Sequence, residues 1–447
     1  MNLLFRHLKS YWWLHLAGLI SATIYTSLSH RSLQIDPVPL HYFFICWSAV
    51  WVLLLATLLT AWKKKVKIPF FAIIIWTVVF RITGIVAIPM LSEDDYFRFL
   101  WDGYRFAETG NPYGEIPADF FDDSNISEPM SEIVYDINYP HLPTIYGPVM
   151  EVIFWISYQI APGSLIALKI LFTLFEGLLL YLLSRTLNSR WFLFAAWCPL
   201  LIFESSFQAH PDLIGVSLMF LAFFAAKKGN PWLAMIFLGL ASSAKVFAVL
   251  LWPFIVQKDR WFRQGVFMAG VILMIYLPFI GQQSDAGSTS LQAMATGWEF
   301  NPAIYVLLKQ FTESYARILS LGSFALIYLI LVIQFWKKNI KQTETSPPLD
   351  LVFGAFLILS PVINPWYLLW LLPFSLTTPR YWSLTAVFIV SISYATGLNL
   401  ESESLADFQI PIHIQIIEFG LITLAIGIDR YCSIKRAREL PLTNAGT

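Results

Sequence analysis

Charge is what this sequence has least of. Asp, Glu, Lys and Arg make up 13% of its 447 residues, against 57% hydrophobic and 17% aromatic. Soluble domains carry roughly 25% charged residues, so a water-soluble globule is excluded. Basic and acidic residues balance at 29 each, which leaves no bulk field to attract nucleic acid. Only three cysteines occur, Cys46, Cys198 and Cys432, all in or beside apolar runs. They form neither a disulfide framework nor a metal-ligand spacing and read as small buried hydrophobes. Also missing are a glycine-rich loop of the kind that cradles nucleotide phosphates and a repeat of the one acidic block. The first apolar stretch lacks a small-residue cleavage pattern and is read as a retained span.

What is there is a succession of apolar runs from end to end, expected to form one integral membrane unit over residues 1–447. A spanning helix needs about 20 apolar residues. Candidates are 11–29, 40–62, 69–91, 165–183, 191–207, 213–226, 232–243, 246–256, 261–280, 315–336, 351–359, 366–376, 381–398 and 412–428. Several are too short to cross, so broken or re-entrant helices are expected among them. The fold class is an all-α polytopic membrane protein with about 11–14 transmembrane or re-entrant helices.

Lysine and arginine accumulate on the cytoplasmic side of membrane proteins. Clusters at 63–67, 185–190, 227–228, 258–263, 337–341 and 430–438, with Arg6 and Lys9, hold 20 of the 29 basic residues. Segment 92–143 is the opposite, with twelve acids against Arg98 and Arg105. It is expected to be a first large extracytoplasmic loop, reached after three crossings from a cytoplasmic N-terminus. With 149–161 re-entrant, the turn 208–212, the break at 242–245, the loop 281–301 and the break at 361–365 all fall on that same face.

Several polar residues on that face carry chemistry. Glu93, Asp94 and Asp95 follow an apolar helix, and adjacent carboxylates at a membrane boundary raise one another's pKa. A carboxylate so tuned is a general base for a hydroxyl; acids also cap helix N-termini through the macrodipole. The next helix is amphipathic, with Phe97, Leu100, Trp101 and Tyr104 on one face, and is expected to lie in the interface. It stops at Gly110-Asn111-Pro112. Arg98 either holds a phosphate or pairs with Asp102 one turn on.

Lys245 interrupts an apolar stretch, which suits a phosphate ligand or a buried ion pair, Glu204 being one candidate partner. Glu204, His210 and Asp212 read as sugar hydrogen-bonding groups or as loop caps. His210 and Asp212 alone lack a third metal ligand at matching spacing. Trp298, Asn301, Trp366 and Tyr367 suit a sugar pocket as well as an aromatic belt. Arg81, Glu151, Lys169 and Glu176 are explained by pairing with one another between helices.

Taken together, the run from Glu93-Asp94-Asp95-Tyr96-Phe97-Arg98 through Trp101-Asp102-Gly103 to Gly110-Asn111-Pro112-Tyr113 resembles the first outer loop of bacterial polyprenol-phosphate-mannose-dependent mannosyltransferases, integral membrane enzymes of the glycosyltransferase C-fold class. Ile137-Asn138-Tyr139-Pro140, the 204–212 stretch, Ser243-Ala244-Lys245, Trp298-Glu299-Phe300-Asn301 and Asn364-Pro365-Trp366-Tyr367 continue it in order. The resemblance implies transfer of a mannose-like hexose from a polyprenyl-phosphate donor to a lipid or glycan acceptor, with inversion, on the outer face of the inner (plasma) membrane. It implies Asp94 or Asp95 as base, and Lys245, with Arg98 as a second candidate, as ligands of the departing phosphate. Trp101, Glu204, His210, Asp212, Trp298, Asn301, Trp366 and Tyr367 would shape the donor and acceptor pockets. Membrane lipids are expected partners and nucleic acid is not. No cofactor is implied, and a divalent cation is left open. A multi-span transporter or lipid flippase is the rival reading.

Overall fold

The computed structural model describes residues 2–35, 37–280, 297–340 and 346–439. The described residues are helical or irregular, with a single isolated bridge between Phe300 and Val362 and no extended sheet. Among the described residues, five helices are long and apolar enough to cross a bilayer: Leu40–Lys64, Leu165–Ser184, Trp261–Phe279, Ala316–Lys338 and Ile412–Lys435. The chain is an all-α polytopic membrane protein. It divides into two compact units, one of Met1–Trp298 with Ile330–Pro347, the other of Glu299–Leu329 with Pro348–Thr447.

The first unit begins with α1 (Asn2–Ser32), α2 (Leu40–Lys64) and α3 (Phe70–Ile85), with α1 packed on both of the others. Expected to run to Leu91, α3 stops at Ile85. The ammonium of Lys169 donates to the carbonyls of Gly84 at 3.3 Å and Ala87 at 2.7 Å, satisfying acceptors that the helix end exposes. The chain then passes Pro89 and turns through Leu91 and Ser92, both left-handed at φ 62° and 57°. Non-glycine residues rarely adopt this conformation, and two in succession mark a strained corner.

Helix α4 (Asp95–Thr109) follows that corner and lies on α5 (Pro148–Ile160). Phe99 stacks on Phe154 with centroids 4.9 Å apart, and Gly103 brings the two backbones together. A Cβ at Gly103 would sit 2.4 Å from the Phe154 carbonyl oxygen. Trp101 and Tyr104, expected among lipid headgroups, are buried instead under the loop's own Phe120 and against Tyr158. Helix α4 ends where expected, with Gly110 left-handed at φ 72°.

The unit continues with α6 (Leu165–Ser184), α7 (Ser189–Trp197), α8 (Asp212–Lys227), α9 (Pro231–Ala244) and α10 (Trp261–Tyr276). The apolar run 191–207 does not form one helix. Pro199 has no amide hydrogen to donate and starts a short new helix, Pro199–Ile202, which widens into a π-helical turn over Phe203–Phe207. Such turns often re-aim side chains at functional sites. Among the four charges expected to pair mutually, only Arg81 and Glu176 do so. Glu151 instead accepts from Thr144 at 2.8 Å, and Lys169 is spent on the α3 carbonyls.

The second unit holds α11 (Ile304–Phe311), α12 (Ala316–Ile340), whose residues from Ile330 belong to the first unit, and α13 (Leu349–Leu359). It closes with α14 (Leu368–Thr377), α15 (Tyr381–Ile389) and α16 (Ile412–Glu439). The loop expected over 281–301 lies outside the described residues up to 296.

Candidate active site

Two chain segments far apart in sequence build the acidic cluster. The first is the strained corner before α4, the second the turn after the π-helical segment. Gln208 clamps them: its amide nitrogen donates to the Met90 carbonyl at 2.8 Å, and its carbonyl oxygen accepts from the Met90 amide at 2.9 Å. Ala209, left-handed at φ 62°, then swings His210 towards the acids. The His210 amide donates to the Glu204 carbonyl at 2.8 Å, closing the turn.

His210 sits between two carboxylates. Its Nδ1 is 2.8 Å from Glu204 Oε2, and its Nε2 is 3.3 Å from Glu93 Oε2. Burial disfavours an imidazolium, but the Glu93 and Glu204 carboxylates outweigh it and hold His210 up to about 10. One ligand atom from each of Glu93, Asp95 and His210 lies within 4.8 Å of the others. Two carboxylates and an imidazole make a donor set suited to a divalent cation. The third group that His210 lacks in local spacing is thus supplied by the α4 corner. A protonated His210 gives the same carboxylates a countercharge from within the protein.

Asp94 and Asp95 differ in surroundings. Asp94 is the N-cap of α4, and its Oδ1 faces the Asn138 amide at 3.4 Å. Burial and then the Glu93 charge lift it to about 6, against the Asn138 hydrogen bond. Asp95 opens the helix, its amide donating to Glu93 Oε1 at 3.2 Å. Burial, then Glu93, push its carboxyl up to about 7, while His210 and Lys245 pull the other way. Both side chains remain partly exposed.

Lys245 stands at the end of α9 in extended backbone, where the apolar run breaks. Its ammonium pairs with Asp212 Oδ1 at 2.7 Å and lies 5.5 Å from the centre of the Phe247 ring. Glu204, the partner weighed from sequence, is engaged by His210. Glu204, His210 and Asp212, expected to offer hydrogen bonds to a sugar, are 0%, 1% and 1% exposed. Their polar atoms face protein groups, His210 between Glu204 and Glu93 and Asp212 against Lys245. Lys245 keeps 19% of its side chain exposed and is reachable.

Arg98 is tied down. Its Nε is 3.1 Å from Asp102 Oδ1, and its Nη2 donates to the Leu142 carbonyl at 2.5 Å. Of the two readings of Arg98, the ion pair with Asp102 is the one formed in this structure. Trp101 is 2% exposed and packs against Tyr104 and Phe120. Trp298 meets the ring of Tyr139 edge-on at 5.2 Å, one residue beyond the Asn138 that touches Asp94.

In the second unit the two other expected features meet. Phe300 bonds on either side of Val362, its amide donating to the Pro361 carbonyl at 3.0 Å and its carbonyl accepting from the Ile363 amide at 2.8 Å. Asn301 is buried at φ 49°, its amide donating to both oxygens of Glu418 at 3.2 and 3.1 Å. Trp366 and Tyr367 begin the next short helix, their rings at right angles.

Sequence reasoning did not single out Gln208, Asn138 or Glu418, and it read Glu93 as one of three adjacent acids without its His210 partner. Asn138 stood within a motif, and Gln208 could have been suspected as the polar residue of an apolar turn. Glu93 and Glu418 owe their roles to partners more than a hundred residues away, for which the sequence carries no local signal.

Comparison with known proteins places two family profiles along the chain. Residues 21–258 match the profile of the alpha-(1->6)-mannopyranosyltransferase N-terminal domain, and residues 294–425 match that of the MptB C-terminal domain. No curated protein and no solved structure matches significantly. The second profile begins at residue 294, four residues before the first segment of the first compact unit ends at Trp298. With more than half of its length covered by the first profile alone, this membrane chain belongs to the alpha-(1->6)-mannopyranosyltransferase family and is a mannosyltransferase.

Proposed function

We propose that the protein transfers mannose from a polyprenyl-phosphate donor to a hydroxyl of a lipid or glycan acceptor, with Asp95 as general base and inversion at the anomeric carbon. The observation that carries this reading is the placement of a partly exposed carboxylate, within 4.8 Å of Glu93 and His210 ligand atoms, in a cluster that a reachable lysine influences. Asp95, raised to about 7, lies in the electrostatic reach of Lys245 and beside an internally paired His210.

In the proposed step Asp95 takes the acceptor proton as the acceptor oxygen forms its bond to the anomeric carbon. The bond from that carbon to the phosphate oxygen breaks, and polyprenyl phosphate leaves with the electron pair. Charge grows on the phosphate in the transition state, which is where a fixed cation helps most. Lys245 meets that charge, and Asp212 positions the ammonium without neutralising it completely. Glu93, His210 and Glu204 form a relay of alternating charge that fixes the corner from which Asp95 projects. An acid with a pKa near the working pH is ionised often enough to act yet basic enough to accept a proton.

A donor with an isoprenoid tail dissolves in the bilayer, which accounts for a catalyst built from membrane helices. The expected sidedness puts this cluster on the extracytoplasmic face of the inner membrane, with the N-terminus in the cytoplasm. The 1→6 linkage in the family's description is the linkage proposed for the product.

Purified protein in nanodiscs, given radiolabelled mannosyl-phosphoryl-polyprenol or a nucleoside-diphosphate mannose with a mannoside acceptor, tests the donor. Label should move to the acceptor from the lipid donor alone. Transfer from the nucleotide sugar and not from the lipid would overturn the reading. Transport of either compound across vesicles without transfer would support the rival carrier.

A further inference from the structure

We propose that the turns after α2 and before α7 form a binding pocket for the headgroup of an anionic phospholipid, separate from the acidic cluster. A cavity of about 630 Å³ opens there, lined by Trp62, Lys65, Lys67, Ser189, Arg190 and Trp191 among others. It shares no residue with the cluster around Asp95, and it does not depend on the proposed transfer reaction.

Charge is the first argument. Three basic side chains converge on this cavity in a chain that is only 13% charged. No Asp or Glu occurs between residues 37 and 92 or between 177 and 203, so neither contributing segment carries a local countercharge. The positive end of α7 adds to the field. Its first amides at Arg190 and Trp191 are capped by Asn188 Oδ1 at 3.1 and 3.3 Å, so the side chains and the dipole supply the attraction.

Construction is the second. Lys65 is left-handed at φ 51°, which ends α2 and turns the basic run back over the cavity. The Ile68 amide donates to Ser189 Oγ at 3.3 Å, joining the two turns. Phe70 stacks on Phe192 just below, centroids 5.2 Å apart, and Tyr11 Oη donates to the Lys67 carbonyl at 3.2 Å. The pocket is therefore framed by contacts between separate helices.

Position favours a lipid over a free anion. The cavity sits at the end of a spanning helix, flanked by Trp62 and Trp191, residues typical of the headgroup level. Phe70 and Phe71, the next residues along, are exposed and offer an apolar surface for acyl chains. Basic pockets between membrane helices are suited to phosphate-bearing headgroups.

Native mass spectrometry of the full chain released from phosphatidylcholine nanodiscs containing phosphatidylglycerol tests this. The unmodified chain should retain phosphatidylglycerol in preference to phosphatidylcholine. The combined variant Lys65→Gln, Lys67→Gln, Arg190→Gln should bind it on the order of a hundredfold more weakly, at about 1 kcal/mol per basic side chain. Lys63→Gln with Lys64→Gln removes charge from the same run outside the pocket and should leave retention intact. Equal loss in both variants, or retention in the first, would overturn the proposal. Inorganic phosphate titrated into pure phosphatidylcholine nanodiscs should not compete; binding as tight as the lipid's would assign the pocket to a soluble anion instead. If the combined variant fails to insert, Arg190→Gln alone should show about a fivefold loss with an unchanged melting curve.

Discussion

A carboxylate acts as a base only when ionised, so the surroundings of Asp95 fix the pH dependence of the reaction. Its pKa is raised to about 7 by burial and by Glu93. For a raised acid the working form is lost as pH falls through that value. The ratio kcat/KM should therefore fall about tenfold per pH unit below roughly pH 7 and level off above it. His210, held up to about 10, stays charged across this range and adds no second limb near neutrality. An initial-rate profile in nanodiscs reads this directly; a flat profile between pH 5 and 8 would remove Asp95 from the role. Lys245→Gln keeps much of the side chain's bulk and removes its charge. A loss of about 10²–10³ in kcat/KM for the lipid donor is expected, with little change in thermal stability. Loss of folded protein with normal activity per folded molecule would make the Lys245–Asp212 pair structural. The acids and the lysine were legible in sequence because charge at a membrane boundary is costly. Which acid meets Lys245 was not, because His210 claims Glu204 through a fold contact.

At the scale of elements, the site depends on close approaches that only small residues permit. Gly147, the N-cap of α5, has ordinary backbone angles, yet a Cβ there would lie 2.1 Å from the Ser243 carbonyl oxygen and 3.0 Å from that of Ala244. Gly147→Ala must push back the turn that carries Lys245. Donor KM should rise together with a loss in kcat, while a similar change at Gly177, which has open space around it, should have no effect. Steady-state kinetics of the two variants check this. The helical segments themselves were largely readable from apolar runs. Leu40–Lys64 and Leu165–Ser184 match their expected 40–62 and 165–183 closely. The exceptions have local causes: Pro199 breaks 191–207, and Lys169 lets α3 end early by satisfying its carbonyls. The interfacial reading of α4 failed because an amphipathic face looks the same whether lipid or α5 covers it.

For the whole molecule, the distribution of Lys and Arg predicts the proposed orientation, with the acidic loop outside and the basic turns in the cytoplasm. In a background lacking the partly exposed Cys432, a cysteine replacing Ser124 in the acidic loop should react with an impermeant thiol reagent on intact cells. One replacing Lys228 should react only after the membrane is opened. The reverse pattern would move the acidic cluster to the cytoplasm. The division into compact units at Trp298 was invisible to an apolar-run reading. Both halves are equally apolar, and nothing in composition changes at the boundary.

The central claim is that Asp95, and not its neighbour Asp94, takes the acceptor proton. Asp95→Asn and Asp94→Asn, each assayed for mannosyl transfer from the lipid donor with folded protein quantified, compare them directly. Asp95→Asn should lose about 10²–10⁴ in kcat and Asp94→Asn much less, both remaining folded and inserted. Full transfer by Asp95→Asn, or a loss confined to Asp94→Asn, would contradict the assignment.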